Sequence, residues 1–265
     1  MRRRPPSTTP DRRRTWAAGP QRSVSPVLRH KPGVFMRPHV ICHMMSGLDG
    51  KTDPDAISQF GDPDIYEQTH PKLCGDAWLC GRVTLQVNYG QFAEQEEFIN
   101  DGTDAIGQPA VYVAGKFGSY ALSADRQGRI KWKTALCDND HVVVLTTERA
   151  SAAYLGLMKD RGVSYIVAGK DTIDFASAFA ILGSQFGIKK LIVEGGGTIN
   201  GAVLDAGLID EFSLLLMPGV DGRRQPSASF DGRPESPIAC VPASLQSIER
   251  LDDDVLWLRY QLRNR

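Results

Sequence analysis

From residue 37 onward, short apolar runs alternate with stretches in which apolar residues recur every three or four positions. The apolar runs are bounded by Gly, Pro or Asp, which predicts β-strands, whereas the longer periodic stretches predict helices. Strands are predicted at residues 39–45, 77–80, 110–113, 141–145, 165–168, 191–193, 212–217, 243–250 and 255–261. Helices are predicted at residues 64–72, 149–161, 174–185 and 200–206.

Strands that alternate with helices favour a parallel sheet, because a parallel crossover usually contains a helix. The sequence therefore predicts the α/β class, with one domain over residues 36–265 and a mainly parallel mixed sheet covered by helices on both faces. Only residues 251–254 separate the last two strands, which predicts a C-terminal antiparallel hairpin. Residues 91–108 and 221–242 are predicted to be long surface loops.

Residues 1–35 differ from the rest in charge and pattern. They contain nine Lys or Arg against a single acid, Asp11, and they show no hydrophobic period, so we predict a disordered basic tail. Three interpretations of this tail stay open: an arm that contacts nucleic acid, an Arg-rich organellar transit segment, and a segment without a folded role. Met36 directly precedes the first predicted strand and is a candidate translation start.

The amino-acid composition indicates the cellular compartment and excludes some classes of partner. Residues 36–265 contain 22 basic and 30 acidic residues, a net charge of −8, which argues against a nucleic-acid partner for the folded part. The five cysteines are scattered and form no CxxC pair, which favours a reducing cytoplasm. No apolar stretch reaches the roughly 18 residues of a membrane span, so no membrane partner is expected.

Residues 191–204 read Leu-Ile-Val-Glu-Gly-Gly-Gly-Thr-Ile-Asn-Gly-Ala-Val-Leu, an apolar run followed by three glycines and a helical pattern. Glycines let a backbone approach a bulky anion, and the N–H groups at a helix start favour phosphate. We predict a cradle for a dinucleotide pyrophosphate, and the alternative is a glycine-rich loop that binds nothing. The spacing is not GxGxxG and lies late in the chain, so a first-turn Rossmann site is disfavoured.

Two further motifs follow predicted strands. Gly-Leu-Asp-Gly at 47–50 either places the carboxylate of Asp49 at the sheet edge where α/β proteins bind ligands or forms a surface turn. Gly-Arg-Val-Thr at 81–84 places a guanidinium and a Thr at the start of a helix, which suits a phosphate. The alternative is an exposed arginine beside a helix cap.

No motif in the sequence indicates a metal centre. His39 and His43 share one face of the first predicted strand, whereas Cys42 lies on the other face. The sequence contains neither HExxH nor the His-x-Glu and Pro-Cys-x-x-Cys pair of zinc deaminases. We therefore predict no metal site and interpret these histidines as core or surface residues.

Three segments, at 44–51, 76–84 and 193–197, together resemble one family. They read Met-Met-Ser-Gly-Leu-Asp-Gly-Lys, Asp-Ala-Trp-Leu-Cys-Gly-Arg-Val-Thr and Val-Glu-Gly-Gly-Gly. They are similar to the reductase domain of the bifunctional riboflavin-biosynthesis deaminase-reductase, which has a dihydrofolate-reductase-like fold. Residues 206–211, leading into a strand that ends at Pro218, extend the resemblance, which covers about residues 37–261. The deaminase half has no counterpart, so a stand-alone reductase is expected.

The resemblance implies NADPH as cofactor and a phosphoribosylamino-pyrimidine as substrate, whose ribosyl group is reduced to a ribityl chain. Cofactor positions are carried over to Met45, Phe60, Gly81, Arg82, Thr84, Gly195, Gly196, Gly197, Thr198, Ile199, Asn200 and Gly201. Arg82 would lie near the 2′-phosphate. Substrate positions are carried over to Ser58, Lys72 and Glu194, and the candidate catalytic residues are Asp49 and Glu194.

This sequence departs from the family pattern at several positions. Phe60 stands where a Trp is usual, Lys72 replaces an Arg, and Val-Asn-Tyr-Gly at 87–90 replaces a common Asp-Asp-Pro, which leaves the exact substrate open. A dihydrofolate reductase or other small-carbonyl reductase, and a non-catalytic nucleotide-binding protein, are the alternative functions. The resemblance also implies a homodimer that pairs through a sheet edge.

Overall fold

One sheet joins the strands of the described residues, which in this computed structural model are 37–224, 227–232 and 240–263. The predicted basic tail, Met36 and part of the predicted 221–242 loop lie outside them. Within the described residues the strands are β1 His39–Ser46, β2 Ala77–Gly81, β3 Ala110–Tyr112, β4 Tyr120–Ala124, β5 Leu136–Cys137, β6 Asp140–Thr146, β7 Ser164–Val167, β8 Lys190–Val193, β9 Glu211–Leu216, β10 Ala243–Arg250 and β11 Leu256–Leu262.

The strand order is β10-β11-β9-β1-β8-β2-β4-β6-β7-β3, and β5 pairs with β6. Each pair of neighbouring strands between β9 and β7 in this order is parallel. The outer strands β11, β10 and β3, together with β5, are antiparallel. The predicted mainly parallel sheet and the predicted C-terminal hairpin, β10 with β11, are therefore confirmed.

Helices cover both faces of the sheet, as predicted. Within the described residues they are α1 Pro54–Ile57, α2 Ile65–Thr69, α3 Arg82–Asn88, α4 Ala152–Asp160, α5 Phe175–Ile181 and α6 Gly197–Asp205. Apolar residues of α1 to α4 pack in one core with Ile41 and Met45 of β1, and those of α5 and α6 pack in another with Cys42 and Met44. Successive side chains of a strand point to opposite faces, so one buried strand serves both cores. None of the helices in these ranges is long and apolar enough to cross a membrane.

The prediction missed two strands, β4 and β5, and the short helix α1. β4 reads Tyr-Ala-Leu-Ser-Ala and lacks the β-branched residues that raise strand propensity. All five residues are nevertheless buried, because β4 lies between β2 and β6 in the middle of the sheet. Tertiary packing outweighs propensity here, and the residues that follow β4 become important for the site.

Two helices begin or end at residues other than those predicted, and the local sequence explains each difference. Helix α6 begins at Gly197, three positions before the predicted start, because Gly196 takes the N-cap position with a positive φ of 67°. Helix α2 ends at Thr69 and continues as a 3₁₀ turn, His70–Leu73, which contains Pro71. Proline cannot donate the backbone hydrogen bond that an α-helix needs at that point.

Candidate functional site

Three adjacent parallel strands bring polar side chains to one edge of the sheet. Glu194 follows β8, Arg82 follows β2 and Asp125 follows β4, and β2 lies between the other two strands. The carboxyl ends of parallel strands form the crevice in which α/β sheets bind ligands. Two clefts open at this edge, and their linings share Val83, Thr84 and Gly196.

The loops that follow β2 and β8 are in direct backbone contact. A methyl group added at Gly195 would lie 2.9 Å from both Cys80 Cα and Gly81 N, so only glycine fits between them. Gly196, the next residue, has the positive φ that glycine adopts without strain. The two glycine-containing motifs predicted from the sequence thus meet at the boundary between the two clefts.

The smaller cleft, here called the basic cleft, has a volume of about 390 Å³ and three arginines in its lining. Arg82 comes from the start of α3, and Arg126 and Arg129 come from the segment after β4. Gly196 and Thr198, at the start of α6, lie in the same lining. Guanidinium groups beside the N-terminus of a helix favour a phosphorylated ligand.

One acid, Glu97, pairs with two of these arginines. Arg82 Nη1 donates to Glu97 Oε1 and, at 2.7 Å, to Gln86 Oε1, while Arg129 Nε lies 3.2 Å from Glu97 Oε2. A hydrogen bond from Gln86 and the charges of the two guanidinium groups hold the pKa of Glu97 below its ordinary value. Arg126 is exposed, and no ion pair joins its side chain to another residue in the described part of the chain.

The larger cleft, here called the acidic cleft, has a volume of about 970 Å³. Its carboxyl-bearing lining residues are Asp53, Asp55, Glu67, Asp138, Asp140 and Glu194. The same lining contains Met44 and Met45 at the end of β1, and the aromatic rings of Trp78 and Tyr89. Apolar and aromatic surface next to hydrogen-bond acceptors suits a flat heterocycle that carries N–H groups.

Glu194 lies at the inner end of this cleft with a side chain that is only 10% exposed. Burial, followed by the negative charges of Glu67 and Asp140, raises the pKa of Glu194 to about 8. The Nε2 atom of His70 lies 3.1 Å from Glu194 Oε1, although the contact lacks the alignment of a hydrogen bond. Burial lowers the pKa of His70. At neutral pH the two side chains therefore form an uncharged pair, with the proton on Glu194.

Asp140 fixes an aromatic wall of the acidic cleft. Its Oδ2 atom accepts a hydrogen bond of 2.6 Å from Trp78 Nε1, and its Oδ1 atom accepts one from Ser119. The Trp78 ring in turn packs against Tyr89 with a centroid separation of 5.0 Å. The carboxylate of Asp140 is therefore used to hold the indole in place, whereas Glu194 remains directed towards His70.

Most of the residues predicted for the site come together at the two clefts. Those in the linings are Met45, Ser58, Gly81, Arg82, Thr84, Glu194, Gly195, Gly196, Thr198 and Ile199. The remaining predicted residues, Asp49, Phe60, Lys72, Gly197, Asn200 and Gly201, are in neither lining. Their assigned roles, which come from the glycine-rich motifs and from the resemblance, stay predictions.

Asp49, Phe60 and Lys72 make other contacts. The carboxylate of Asp49 accepts a hydrogen bond of 2.8 Å from Gly222 N, and the Phe60 ring packs so closely against Gly219 that an added methyl would lie 2.0 Å from it. The ammonium group of Lys72 lies 5.7 Å from the centre of the Trp257 ring. These contacts direct the three side chains to neighbours outside the clefts.

The opposite side of α6 packs against residues 227–232 instead of facing a cleft. Asn200 is fully buried, and its Nδ2 atom donates a hydrogen bond of 2.8 Å to Ser229 O. Added methyl groups at Gly197 and Gly201 would lie 2.2 Å and 2.5 Å from atoms of Asp231. Glycine and asparagine at these positions therefore hold a loop against the helix, a role that the sequence did not reveal.

Sequence reasoning missed several residues that line the clefts: Tyr66, Glu67, His70, Arg126, Arg129, Asp138 and Asp140. Arg126 and Arg129 were missed because β4 was not predicted. The sequence did contain a signal: an Asp-Arg pair follows an apolar run there, just as Glu194 follows the apolar run of β8. His70 lies in a predicted helix, where no local pattern indicated a site. Its contact with Glu194 depends on β8, which is distant in the sequence.

The chain matches the model of the RibD C-terminal domain family over residues 38–257. It is 30% identical over 202 residues to the 2,5-diamino-6-ribosylamino-4(3H)-pyrimidinone 5′-phosphate reductase of Methanothermobacter thermautotrophicus, which is 74% of this chain and 85% of that protein. It is 36% identical over 80 residues to the reductase of the same name from Aquifex aeolicus, which is 30% of this chain and 35% of that protein.

A similar fold is present in a solved structure of a pyrimidine reductase-like protein from Corynebacterium diphtheriae. The two share a TM-score of 0.62 and 18% sequence identity, over 86% of this chain and 93% of the other. The parallel sheet, the C-terminal hairpin and this match define an α/β protein with a dihydrofolate-reductase-like fold.

The chain belongs to the RibD C-terminal domain family. The names of its relatives support an oxidoreductase of the riboflavin-biosynthesis pyrimidine reductase type. The family resemblance inferred from the three sequence motifs is confirmed.

Proposed function

We propose that this protein is an NADPH-dependent reductase that converts the ribosyl group of a 5-phosphoribosylamino-pyrimidine to a ribityl chain in riboflavin biosynthesis. The observation that supports the proposal is that a basic cleft and an acidic cleft meet at Thr84 and Gly196. A dinucleotide needs a site for its phosphates and, beyond it, a site with apolar and aromatic surface where its reactive ring can meet a substrate.

The basic cleft fits the phosphorylated end of such a cofactor. Arg82, Arg126 and Arg129 supply charge for a 2′-phosphate, and the absence of side chains at Gly195 and Gly196 leaves the backbone open to a pyrophosphate. The nicotinamide would then lie towards Met45 in the acidic cleft, where it would supply a hydride. The chain's task is to hold the two reactants in contact and exclude water, since hydride transfer depends mainly on positioning.

The acidic cleft fits a substrate with a flat ring and amino groups. Trp78 and Tyr89 offer aromatic surface, and Ser58 offers a hydroxyl group. Glu194, protonated at neutral pH, can donate a hydrogen bond or a proton to the substrate, and the uncharged His70 lies 3.1 Å away. We therefore assign Glu194 as the candidate proton donor.

The test is to titrate the purified full chain with NADPH and NADH while following nucleotide fluorescence, and then to add the pyrimidine substrate and follow NADPH oxidation. We expect saturable NADPH binding and turnover of the ribosylamino-pyrimidine 5′-phosphate. Dihydrofolate serves as the control substrate and should not be reduced. Absence of saturable binding by either nucleotide would rule out the proposal, and turnover of dihydrofolate alone would replace it with a dihydrofolate reductase.

The proposal includes a cytoplasmic homodimer that pairs through the edge strand β10. All but one of the β10 residues are exposed, and the outer edge of β10 has no strand beside it within the described residues. Leu245 and Ile248 are 49% and 59% exposed. Long exposed edge strands with apolar side chains are surfaces that proteins usually cover.

Light scattering during size-exclusion chromatography tests the dimer. We expect the wild-type chain to elute with twice the monomer mass and Ile248→Lys to shift it towards the monomer. Leu48→Lys changes an apolar residue of similar exposure, 58%, that lies outside β10, and it should leave the mass unchanged. A monomeric wild-type chain would contradict the proposal.

A further inference from the structure

Glu97 holds an unusual place among the acids near the basic cleft, because its carboxylate contacts two guanidinium groups of the cleft lining at once. Its Oε1 atom accepts from Arg82, and its Oε2 atom lies 3.2 Å from Arg129 Nε. Gln86 Nε2 also donates to Glu97 Oε1, at 3.1 Å. In the free protein, the carboxylate of Glu97 thus occupies groups that an incoming phosphate would use.

The backbone around Glu97 is fixed by its neighbours. Phe98 N donates a hydrogen bond of 2.7 Å to Arg129 O, and the Phe98 ring packs edge-on against Tyr154 with a centroid separation of 5.4 Å. Glu94 N donates at 2.8 Å to Lys131 O. The segment that carries Glu97 therefore runs beside the segment after β4, and these contacts hold the backbone of Glu97 next to the cleft.

We propose that Glu97 determines how strongly the basic cleft prefers a nucleotide with a 2′-phosphate over one with a 2′-hydroxyl group. The proposal rests on the nucleotide site proposed above. A 2′-phosphate must share Arg82 and Arg129 with Glu97 and is repelled by it, whereas a 2′-hydroxyl group can donate a hydrogen bond to a carboxylate. Glu97 therefore reduces the preference for NADPH that the arginines alone would give.

The structure offers a conservative substitution for the test. Glu97→Gln keeps the size of the side chain and its amide oxygen can still accept from Arg82, while the negative charge is removed. Removing one charge next to a dianionic phosphate in a largely solvated site should strengthen NADPH binding roughly tenfold. Binding of NADH, which has no phosphate at this position, should change less than about twofold.

Glu96→Gln is the matched control, because it removes the same charge from the next residue. The Glu96 side chain is 91% exposed, and the charged group within 4 Å of it in the described residues is Lys131 Nζ, at 3.9 Å, instead of an arginine of the cleft. The experiment measures dissociation constants for NADPH and NADH, and for 2′,5′-ADP and 5′-AMP as probes of the adenosine end. All four are measured with the wild-type chain and both variants, at low and high salt.

The proposal expects the ratio of NADH to NADPH dissociation constants to rise roughly tenfold in Glu97→Gln and to stay within about twofold in Glu96→Gln. The same should hold for the two adenosine probes, and the difference should shrink in high salt. Equal changes for both nucleotides, or weaker NADPH binding in Glu97→Gln, would overturn the role of Glu97. If the wild-type chain binds neither nucleotide, the proposed function itself fails, which is a different result.

Discussion

The basic and acidic clefts share a boundary at Thr84 and Gly196, but they hold their charged groups in opposite ways. In the basic cleft the arginines stay charged, and Glu97 supplies the counter-charge to Arg82 and Arg129. In the acidic cleft no Lys or Arg of the described residues forms an ion pair with Glu194, and its carboxyl group is protonated instead, because burial and the charges of Glu67 and Asp140 raise its pKa to about 8. One cleft is therefore arranged for an anion, and the other for hydrogen bonding and proton transfer.

This difference arises because the charged side chains of the two clefts differ in their exposure to solvent. The side chains of Arg82 and Glu97 are 27% and 35% exposed, so water reduces the cost of keeping both charged. Glu194 is 10% exposed, and a charge there would lose most of its hydration. The same sheet edge can thus hold a permanently charged site next to a site whose charge depends on pH.

The largest expected effect comes from removing the buried acid with Glu194→Gln. The pKa of Glu194 is near 4.5 in the unfolded chain and about 8 in the folded protein, so the folded state keeps a proton that the unfolded chain has lost. The contribution of Glu194 to the free energy of unfolding should therefore fall as pH rises from about 4.5 to about 8, and stay level above that. Relative to Glu194→Gln, the wild type should lose roughly 2–4 kcal/mol between pH 5 and pH 8.

Urea unfolding at several pH values measures this difference. Glu96→Gln, which changes a side chain that is 91% exposed and lies outside β10, should keep the wild-type pH dependence. If Glu194→Gln and the wild type show the same dependence on pH, the carboxyl group is not protonated in the folded protein and the contrast between the two clefts is wrong.

The second effect concerns the boundary itself. The methyl group added by Gly195→Ala would lie 2.9 Å from two consecutive backbone atoms, and neither can shift without moving the chain around it. We therefore expect the free energy of unfolding to fall by about 2–3 kcal/mol and ligands to bind more weakly in both clefts. Gly90→Ala is the control, because an added methyl group there has no atom within 4 Å. Thermal unfolding and NADPH titration would show the effect. A fully stable Gly195→Ala with normal binding would contradict the close backbone contact.

The third effect is confined to the basic cleft. Arg82→Ala removes a charged donor from the phosphate site, so NADPH should bind roughly tenfold to thirtyfold more weakly, or about 1.5–2 kcal/mol, and NADH less than about threefold. Arg149→Ala serves as the control, since Arg149 is exposed and pairs with Asp171 away from the clefts. Equal losses for NADPH and NADH would show that Arg82 does not contact the 2′-phosphate.

The smallest effect is expected from Glu67→Gln. The negative charge of Glu67 contributes to the raised pKa of Glu194, but Glu67 is exposed and its influence is screened by water and salt. In low salt, we expect the contribution of Glu194 to the free energy of unfolding to stop falling at a lower pH than in the wild type, by less than about one unit. In high salt this difference should be smaller. The absence of this difference in low salt would show that Glu67 does not contribute and would leave burial and the charge of Asp140 as the causes of the shift.

Much of the fold follows from sequence pattern alone. The parallel strands β1, β6, β7 and β8 were predicted because their apolar runs contain β-branched residues, and β9 was predicted from its apolar run alone. Strand β4 was not predicted, because Tyr-Ala-Leu-Ser-Ala has little strand propensity of its own and is extended only through its pairing with β2 and β6. The arginines after β4 were missed for the same reason.

The sequence by itself determined the class of fold and the motifs that meet at the boundary of the clefts, since glycines and strand ends leave local patterns. Tertiary structure alone decided which charged groups face each other: Glu97 with Arg82 and Arg129, and His70 with Glu194. It also turned Asn200 away from the clefts and into the protein. The reason is that charge pairing and burial depend on distances in space between residues that are far apart along the chain, and no local pattern encodes those distances.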